Sequence, residues 1–569
     1  MKINLYSKGA AETVTGSRHY IECGKTVVQI DSGMFQGKIE EKNKEVTFPN
    51  VDAVILTHAH LDHVGMLPKQ VKEGYEGKIY CTPATRDLAT VVLNDSAKIQ
   101  SYDKENPLYT DEDVVKTLNY FSCKMYEKEK KINNDISFKF YNAGHILGSS
   151  MIDLKINTKK FLFGKKETHI LFSGDLGRNG NPLVSEPATN MSAPDYIVLE
   201  STYGDRTHKG YNTIEQELTY TINRTVNRGG KVIIPSFAVE RTQELIFYIK
   251  KLMKEEKIPR VPMYIDSPMA VAATGVFSIH SESLNDNIRN NFVAKGKNPF
   301  TTKSLKFINS YEESLKIAKS KKPCIIISAQ GMIEAGRIIN HVKYGISDPN
   351  NTILFVGYMC EGTLGRKILD KEPVVTIDKK DYELKAEVQK IEAFSAHSDY
   401  KEMLEWLSKI DTSKLKKIFL VHGDKNAQEH FSKFLKDNGF NNEIVKENII
   451  YKLWKNNLEK ILKFWYNLFT VKGKKWMLKI GKTYRVKTLE DFKKMNVVIS
   501  FYGYTNTKYI VDNMSGNVTI NHMNPTMTVL KKVTIKSKEL GFYHIKEDNY
   551  SWEEWMLVVP TTNTIMNTE

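Results

Sequence analysis

The stretch Thr57-His58-Ala59-His60-Leu61-Asp62-His63 constrains this chain more than any other. It sets three imidazoles and one carboxylate within six residues, directly behind the apolar run Val51-Asp52-Ala53-Val54-Ile55-Leu56. That run reads as a buried strand. Unrelated histidines in a polar turn are the alternative. With 14 His in 569 residues, however, four such positions coincide rarely. Imidazole and carboxylate are the ligands that borderline metals such as zinc prefer. In extended backbone, His58 and His60 project to one side. Asp62 and His63 fall where the chain turns into a helix and so point elsewhere. One cluster with two directions suggests two adjacent metal ions.

The same grammar recurs along the chain: an apolar strand, then His or an acid, then Gly or a helix. Residues 27–30 end in Asp31-Ser32-Gly33, and residues 136–141 lead to Gly144-His145-Ile146. Residues 170–172 lead to Gly174-Asp175, and residues 196–199 to Glu200-Ser201-Thr202. One acid beside Gly is as readily a turn former or helix cap. Asp31, His58, His145, Asp175 and Glu200 in succession point instead to a site at one sheet edge. Residues 86–131 read as helical, a cover following the His cluster.

From about residue 205 to 394 the pattern changes. Short apolar runs at 231–235, 262–265, 324–328 and 352–356 alternate with helical spans such as 213–226 and 240–254. This implies an α/β module with a largely parallel sheet. Its strand ends carry Asp266-Ser267-Pro268, Ser328-Ala329-Gln330-Gly331-Met332 and Gly357-Tyr358. Arg337 and Arg366 each follow beside Gly, which suits a phosphate contact; a surface position or a structural ion pair is the alternative. The first grammar then resumes with Phe394-Ser395-Ala396-His397-Ser398-Asp399 and with residues 417–421 before His422-Gly423-Asp424. The module is therefore read as an insertion at 205–394 between two parts of one domain, 1–204 and 395–454. Residues 455–475 read as an aromatic, basic linker helix. Residues 476–569, with short alternating runs between turns, read as a small β-barrel-like domain without a chemistry-bearing cluster.

Composition narrows the setting. A chain of 569 residues needs several domains, and 41% apolar with 26% charged residues is ordinary for soluble protein. The net charge of +15 suits a polyanionic partner, although a solvated surface accounts for such charge equally well. Five scattered cysteines without a C-x-x-C pair indicate neither a disulfide framework nor a cysteine metal site. A reducing, cytoplasmic location follows from that, with no signal-peptide pattern at the start. The apolar stretch around 461–471 is too short to span a bilayer, so no membrane association is expected.

Taken together, His58-x-His60-x-Asp62-His63, His145 and Asp175 resemble the metal motifs of the metallo-β-lactamase fold. The insertion resembles the β-CASP domain of its nucleic-acid-processing members. Glu200 matches that family's motif A acid, His397 its motif B and His422 its motif C. Gly9 to Ser17, residues 30–37, Pro235-Ser236-Phe237 and Gly362-Thr363-Leu364-Gly365-Arg366 are similar to bacterial and archaeal relatives of the polyadenylation-cleavage endonuclease. The resemblance covers about residues 1–454. Gln330 departs from the smaller residue usual there, and no KH module precedes the first domain.

The resemblance implies an α/β fold: an αββα metallo-β-lactamase sandwich, an inserted β-CASP α/β domain and, outside it, a small all-β domain. It implies two Zn2+ per chain, one on His58, His60 and His145, the other on Asp62, His63 and His422, with Asp175 bridging. Asp62, Glu200 and His397 would be catalytic, with His397 the general acid oriented by Glu200. Asp31 would hydrogen-bond a ligand histidine. Ser236, Ser328, Arg337 and Arg366 are candidate substrate contacts. The implied activity is zinc-dependent hydrolysis of single-stranded RNA, leaving a 5′-phosphate and a 3′-hydroxyl. Endonucleolytic cleavage in RNA processing or decay is the expectation, while an exonucleolytic mode and a homodimer stay open. His at motif C favours RNA over DNA. A small-molecule hydrolase is disfavoured by the long insertion, and an inactive RNA-binding scaffold by the complete ligand set.

Overall fold

The structure is a computed structural model. It describes residues 2–453, except 104, 105, 161–163, 358 and 360, and beyond them short strands between 484 and 568. The chain falls into two compact units, residues 1–158 with 167–455 and residues 159–166 with 456–569.

The larger unit contains two seven-stranded sheets and a six-stranded one. The first sheet runs Tyr451–Lys452, Ile3–Ser7, His19–Cys23, Thr26–Ile30, Ala53–Ile55, Lys78–Cys81 and Phe121–Cys123. Its first pairs are antiparallel and its later ones parallel. The second sheet runs Asn442–Ile444, Lys417–Val421, Tyr196–Glu200, Gly164–Phe172, Ser150–Lys160, Ile136–Asn142 and Lys130–Lys131.

Side-chain alternation explains why these sheets stack. Along the strands, Phe172, Val198, Phe419 and Val421 turn inward onto Leu5, Ile21, Val28 and Ile55 of the first sheet. Their neighbours Leu171, Ile197, Leu199, Ile418 and Leu420 turn outward onto Trp406, Leu407, Phe431 and Leu435 of the helices Tyr400–Lys409 and Lys425–Asp437. On the far side, Val54, Leu56 and Ile79 pack against Leu88 and Val92 of the helix Pro83–Asp103. Period-two burial on both faces forces helices onto both outer faces.

The third sheet belongs to the inserted segment. Its order is Leu305–Phe307, Met263–Ile265, Ile325–Ser328, Val232–Pro235, Thr352–Phe355 and Glu387–Lys390, all parallel. Its central strands are buried throughout, as a parallel sheet covered on both faces requires. Ser267 and Ser310 start two of the covering helices by accepting from Ala270 N and Glu313 N.

One stretch differs from the sequence reading. Residues 86–131 are not helical throughout: after Pro83–Asp103 and Asp111–Leu118 the chain forms the strand Phe121–Cys123 beside Lys78–Cys81. Three residues are too few to show a period, and the edge position decides their conformation.

In the smaller unit, the described strands form a three-stranded, a two-stranded and a four-stranded sheet. The linker expected at 455–475 lies outside the described residues. Among the described residues no helix is long and apolar enough to cross a membrane.

Phe138 is fully buried between Tyr80 and Phe140 in the sandwich core. Phe138→Ala is expected to destabilise the larger unit by about 3–5 kcal/mol. Urea unfolding followed by intrinsic fluorescence checks this; an unchanged midpoint would mean the two sheets do not depend on that ring.

Candidate metal centre

Ends of strands from both sandwich sheets converge at one edge. His58 follows the strand Ala53–Ile55, His60 caps the short helix Leu61–Val64, and Asp62 and His63 lie within that helix. His145 follows Ile136–Asn142, Asp175 follows Gly164–Phe172, and Glu200 closes Tyr196–Glu200. His397 lies before the helix Tyr400–Lys409, and His422 directly after Lys417–Val421. Two glycines permit this crowding. A Cβ on Gly33 would stand 1.6 Å from Asp62 O, and one on Gly177 would stand 1.8 Å from Gly144 O. Gly33 lets the Asp31 turn cross the His helix, where Ser32 N donates to His63 O at 2.7 Å.

The donor atoms form two groups. In the first, His58 Nε2 and His145 Nε2 lie 3.0 and 3.1 Å from His60 Nδ1. Asp175 Oδ2 completes it, 3.4 Å from His58 Nε2 and 3.6 Å from His145 Nε2. In the second, His422 Nε2 lies 3.2 Å from His63 Nε2 and 3.3 Å from Asp62 Oδ2. Asp175 Oδ1 faces this group, 3.4 Å from His63 Nε2 and 3.5 Å from His422 Nδ1, and it has no hydrogen-bond donor. Tetrahedral zinc with bonds of about 2.0–2.1 Å separates its ligand atoms by about 3.3 Å. Both groups therefore fit such an ion, and the buried, unsatisfied Oδ1 is an atom that needs a cation.

The other ring nitrogens of four of these histidines are also engaged. His63 Nδ1 donates to Asp31 Oδ2 at 2.8 Å. Asp31 in turn accepts from Thr57 N and Thr57 Oγ1, both at 2.7 Å. His58 Nδ1 reaches Thr57 Oγ1 at 3.0 Å, His145 Nδ1 reaches Ala396 O at 3.2 Å, and His422 Nδ1 reaches Thr202 Oγ1 at 3.0 Å. Such contacts fix each ring and leave the opposite nitrogen's lone pair for a metal. Burial holds the pKa of His58 and His145 far below the ordinary value and lowers that of His60 to about 4, so these rings are neutral ligands.

His397 is built differently. Its Nδ1 donates to Glu200, 3.1 Å from each carboxylate oxygen. Glu200 is fully buried, whereas 20% of the His397 side chain is exposed, so only the histidine can touch a substrate. Burial opposes its charge, but Glu200 and then Asp175 outweigh this and push its pKa up to about 9. The carboxylates around it thus favour the charged imidazolium.

Other expected contacts lie elsewhere. Ser328 ends one strand of the inserted sheet and Ser236 directly follows its neighbour Val232–Pro235, but both are buried, and Ser328 Oγ donates to Asp266 O at 2.7 Å. Neither hydroxyl is open to a substrate. The Arg337 guanidinium pairs with buried Asp266 at 2.8 Å and donates to Ile308 O and Asn309 O. It is the structural ion pair that its sequence context also allowed. Arg366 lies on the surface and pairs with Asp370 at 2.7 Å. Sequence reasoning missed Thr57, Thr202 and the Ala396 carbonyl as supports. Thr57 and Thr202 stand beside motif residues; the carbonyl leaves no signal.

Comparison with known proteins agrees with this geometry. Residues 20–171 match the metallo-β-lactamase superfamily domain and residues 242–368 the β-CASP domain. Residues 381–445 match the Zn-dependent metallo-hydrolase RNA specificity domain. The chain belongs to the β-CASP branch of the metallo-β-lactamase superfamily. It is 36% identical to Ribonuclease TTHA0252 of Thermus thermophilus over 75% of this chain and 94% of that protein. It is 34% identical to the RNase J-like protein of Methanocaldococcus jannaschii, over 74% and 93%. It is 32% identical to the transcription termination factor FttA of Methanosarcina mazei, over 75% and 67%.

Asp31 supports the second donor group through His63 alone. Asp31→Asn is expected to weaken zinc binding there by about 10–100-fold, as loss of such a support does elsewhere. Zinc titration against a competing chelator measures it, and wild-type affinity for both ions would rule out the role.

Proposed function

We propose that the protein is a zinc-dependent ribonuclease that cleaves single-stranded RNA. The observation that supports this most is the pair of three-residue donor groups facing the two oxygens of Asp175, with charged His397 at their open side. His58, His60 and His145 would hold one zinc, and Asp62, His63 and His422 the other, with Asp175 shared. Ions bound there would supply an acidified water as nucleophile and neutralise charge growing on the phosphoryl oxygens. The rest of the chemistry belongs to the chain. His397 donates its proton to the leaving 3′-oxygen as the phosphorus–oxygen bond breaks. Glu200 holds that ring by its Nδ1 and favours its charged form. Asp31, Thr57, Thr202 and the Ala396 carbonyl hold the ligand rings in place. The products are a 5′-phosphate and a 3′-hydroxyl.

RNA as substrate is supported by the ribonuclease relatives and by the RNA specificity domain over residues 381–445, which includes His397 and His422. The four described cysteines are all free thiols, which suits a reducing cytoplasm. The charge of +15 suits a polyanion.

RNA labelled separately at each end tests the reading: internal fragments from both labels mean endonucleolytic cleavage, release of single nucleotides means exonucleolytic cleavage, and intact RNA contradicts it. His397→Ala is expected to slow cleavage by about 10²–10⁴-fold while two zinc ions per chain remain bound. Undiminished cleavage, or loss of zinc, would remove His397 from the role of acid.

A further inference from the structure

The C-terminal edge of the inserted sheet presents an aromatic ring in a prepared seat. Phe237 stands two residues beyond the strand Val232–Pro235 and is 40% exposed. A single exposed apolar side chain is common and means little alone. The surroundings of this one are specific. Its strand lies between Ile325–Ser328 and Thr352–Phe355, and just past the ends of those neighbours stand Gly331 and Gly357. A Cβ on Gly331 would come within 3.3 Å of Phe237 Cδ2 and Cε2, and one on Gly357 within 3.3 Å of Cε2. Two glycines from the flanking strands thus leave room for one edge of the ring, and side chains there would press on it.

The backbone that carries the ring is also anchored. The Phe237 carbonyl accepts from Thr242 N at 3.3 Å and Thr242 Oγ1 at 2.8 Å. Three residues on, Glu240 is buried with φ of 66°, and its Oε2 accepts from Leu147 N at 3.1 Å. Leu147 is two residues from the ligand His145. The loop between strand and helix therefore shows Phe237 at one end and is pinned to a metal-ligand loop at the other. Three residues reach at most about 10 Å, so Phe237 stays within that span of the residue that bonds the His145 loop. The ends of parallel strands in an open α/β sheet are where ligands are bound.

We propose that Phe237 is a stacking platform for one nucleobase of the RNA strand bound at the metal centre. This rests on the ribonuclease reading and adds a subsite to it. Every nucleobase has a π face, so a fixed ring with an open side grips a strand without selecting its sequence. Phosphate contacts would place the backbone, and the platform would set which nucleotide lies beside the scissile bond.

The test uses the full, zinc-loaded chain in a His397→Ala background, where cleavage is slow. Fluorescence anisotropy gives the Kd for a single-stranded RNA oligonucleotide. Phe237→Leu, which keeps apolar bulk without a π face, is expected to raise Kd about ten-fold, the order of one lost base stack. Phe237→Tyr is expected to bind within about two-fold of the parent, with zinc content unchanged in both. A series of oligonucleotides with one abasic residue at successive positions supplies the second readout. One position is expected to weaken the parent as Phe237→Leu does, and to weaken the Leu variant no further. Equal binding by parent and Leu variant, equal weakening by Leu and Tyr, or no position-specific abasic effect would each overturn the platform and leave the ribonuclease reading standing. A parent that binds no RNA would overturn both.

Discussion

The parallel pairing of Tyr196–Glu200 with Lys417–Val421, in the register Glu200↔Val421, is the contact on which the site depends. Ser201 Oγ donates to Val421 O at 2.6 Å across 220 positions of sequence, and Ser201 N donates to His422 O. This pairing sets His422 against Asp62 and His63, and the helix beginning at Tyr400 sets His397 against Glu200. Without the returning strand the first part of the chain holds one complete donor group and two of the three residues of the other. The long excursion between the two strands is tolerated because closure entropy grows only with the logarithm of loop length.

Electrostatics constrain the same place from another side. Asp31, Asp62, Asp175 and Glu200 gather beside five donor histidines, and most of these side chains are buried. Buried carboxylates are costly unless they are paired or coordinate a cation. Asp31 is satisfied by Thr57 and His63, and Glu200 by Leu176 N and His397. Asp175 is different: burial would raise its pKa, yet neighbouring histidines, His422 and His63 first, hold it well below the usual carboxylate range, and its Oδ1 still lacks a donor. Its two oxygens face two donor groups. A bound cation would meet that demand.

Much of this was legible in the sequence because each motif residue sits behind an apolar run. His58 to His63, His145, Asp175, Glu200 and His422 all follow strands whose burial pattern is plain. The central strands of the inserted sheet were equally plain, being apolar throughout. What escaped depends on distant approaches. Thr57 and Thr202 are ordinary threonines until folding brings them to Asp31 and His422. Arg337 beside Gly looks the same whether it meets a phosphate or Asp266, 71 positions away. The seat of Phe237 draws on glycines from two other strands.

The proposed pair of zinc sites admits one direct measurement: anomalous X-ray scattering at the zinc edge from crystals of the full chain grown with zinc. Two peaks are expected, one among His58, His60 and His145 and one among Asp62, His63 and His422, each beside one oxygen of Asp175. A single peak, or peaks away from Asp175, would contradict the shared carboxylate and the two-metal chemistry built on it.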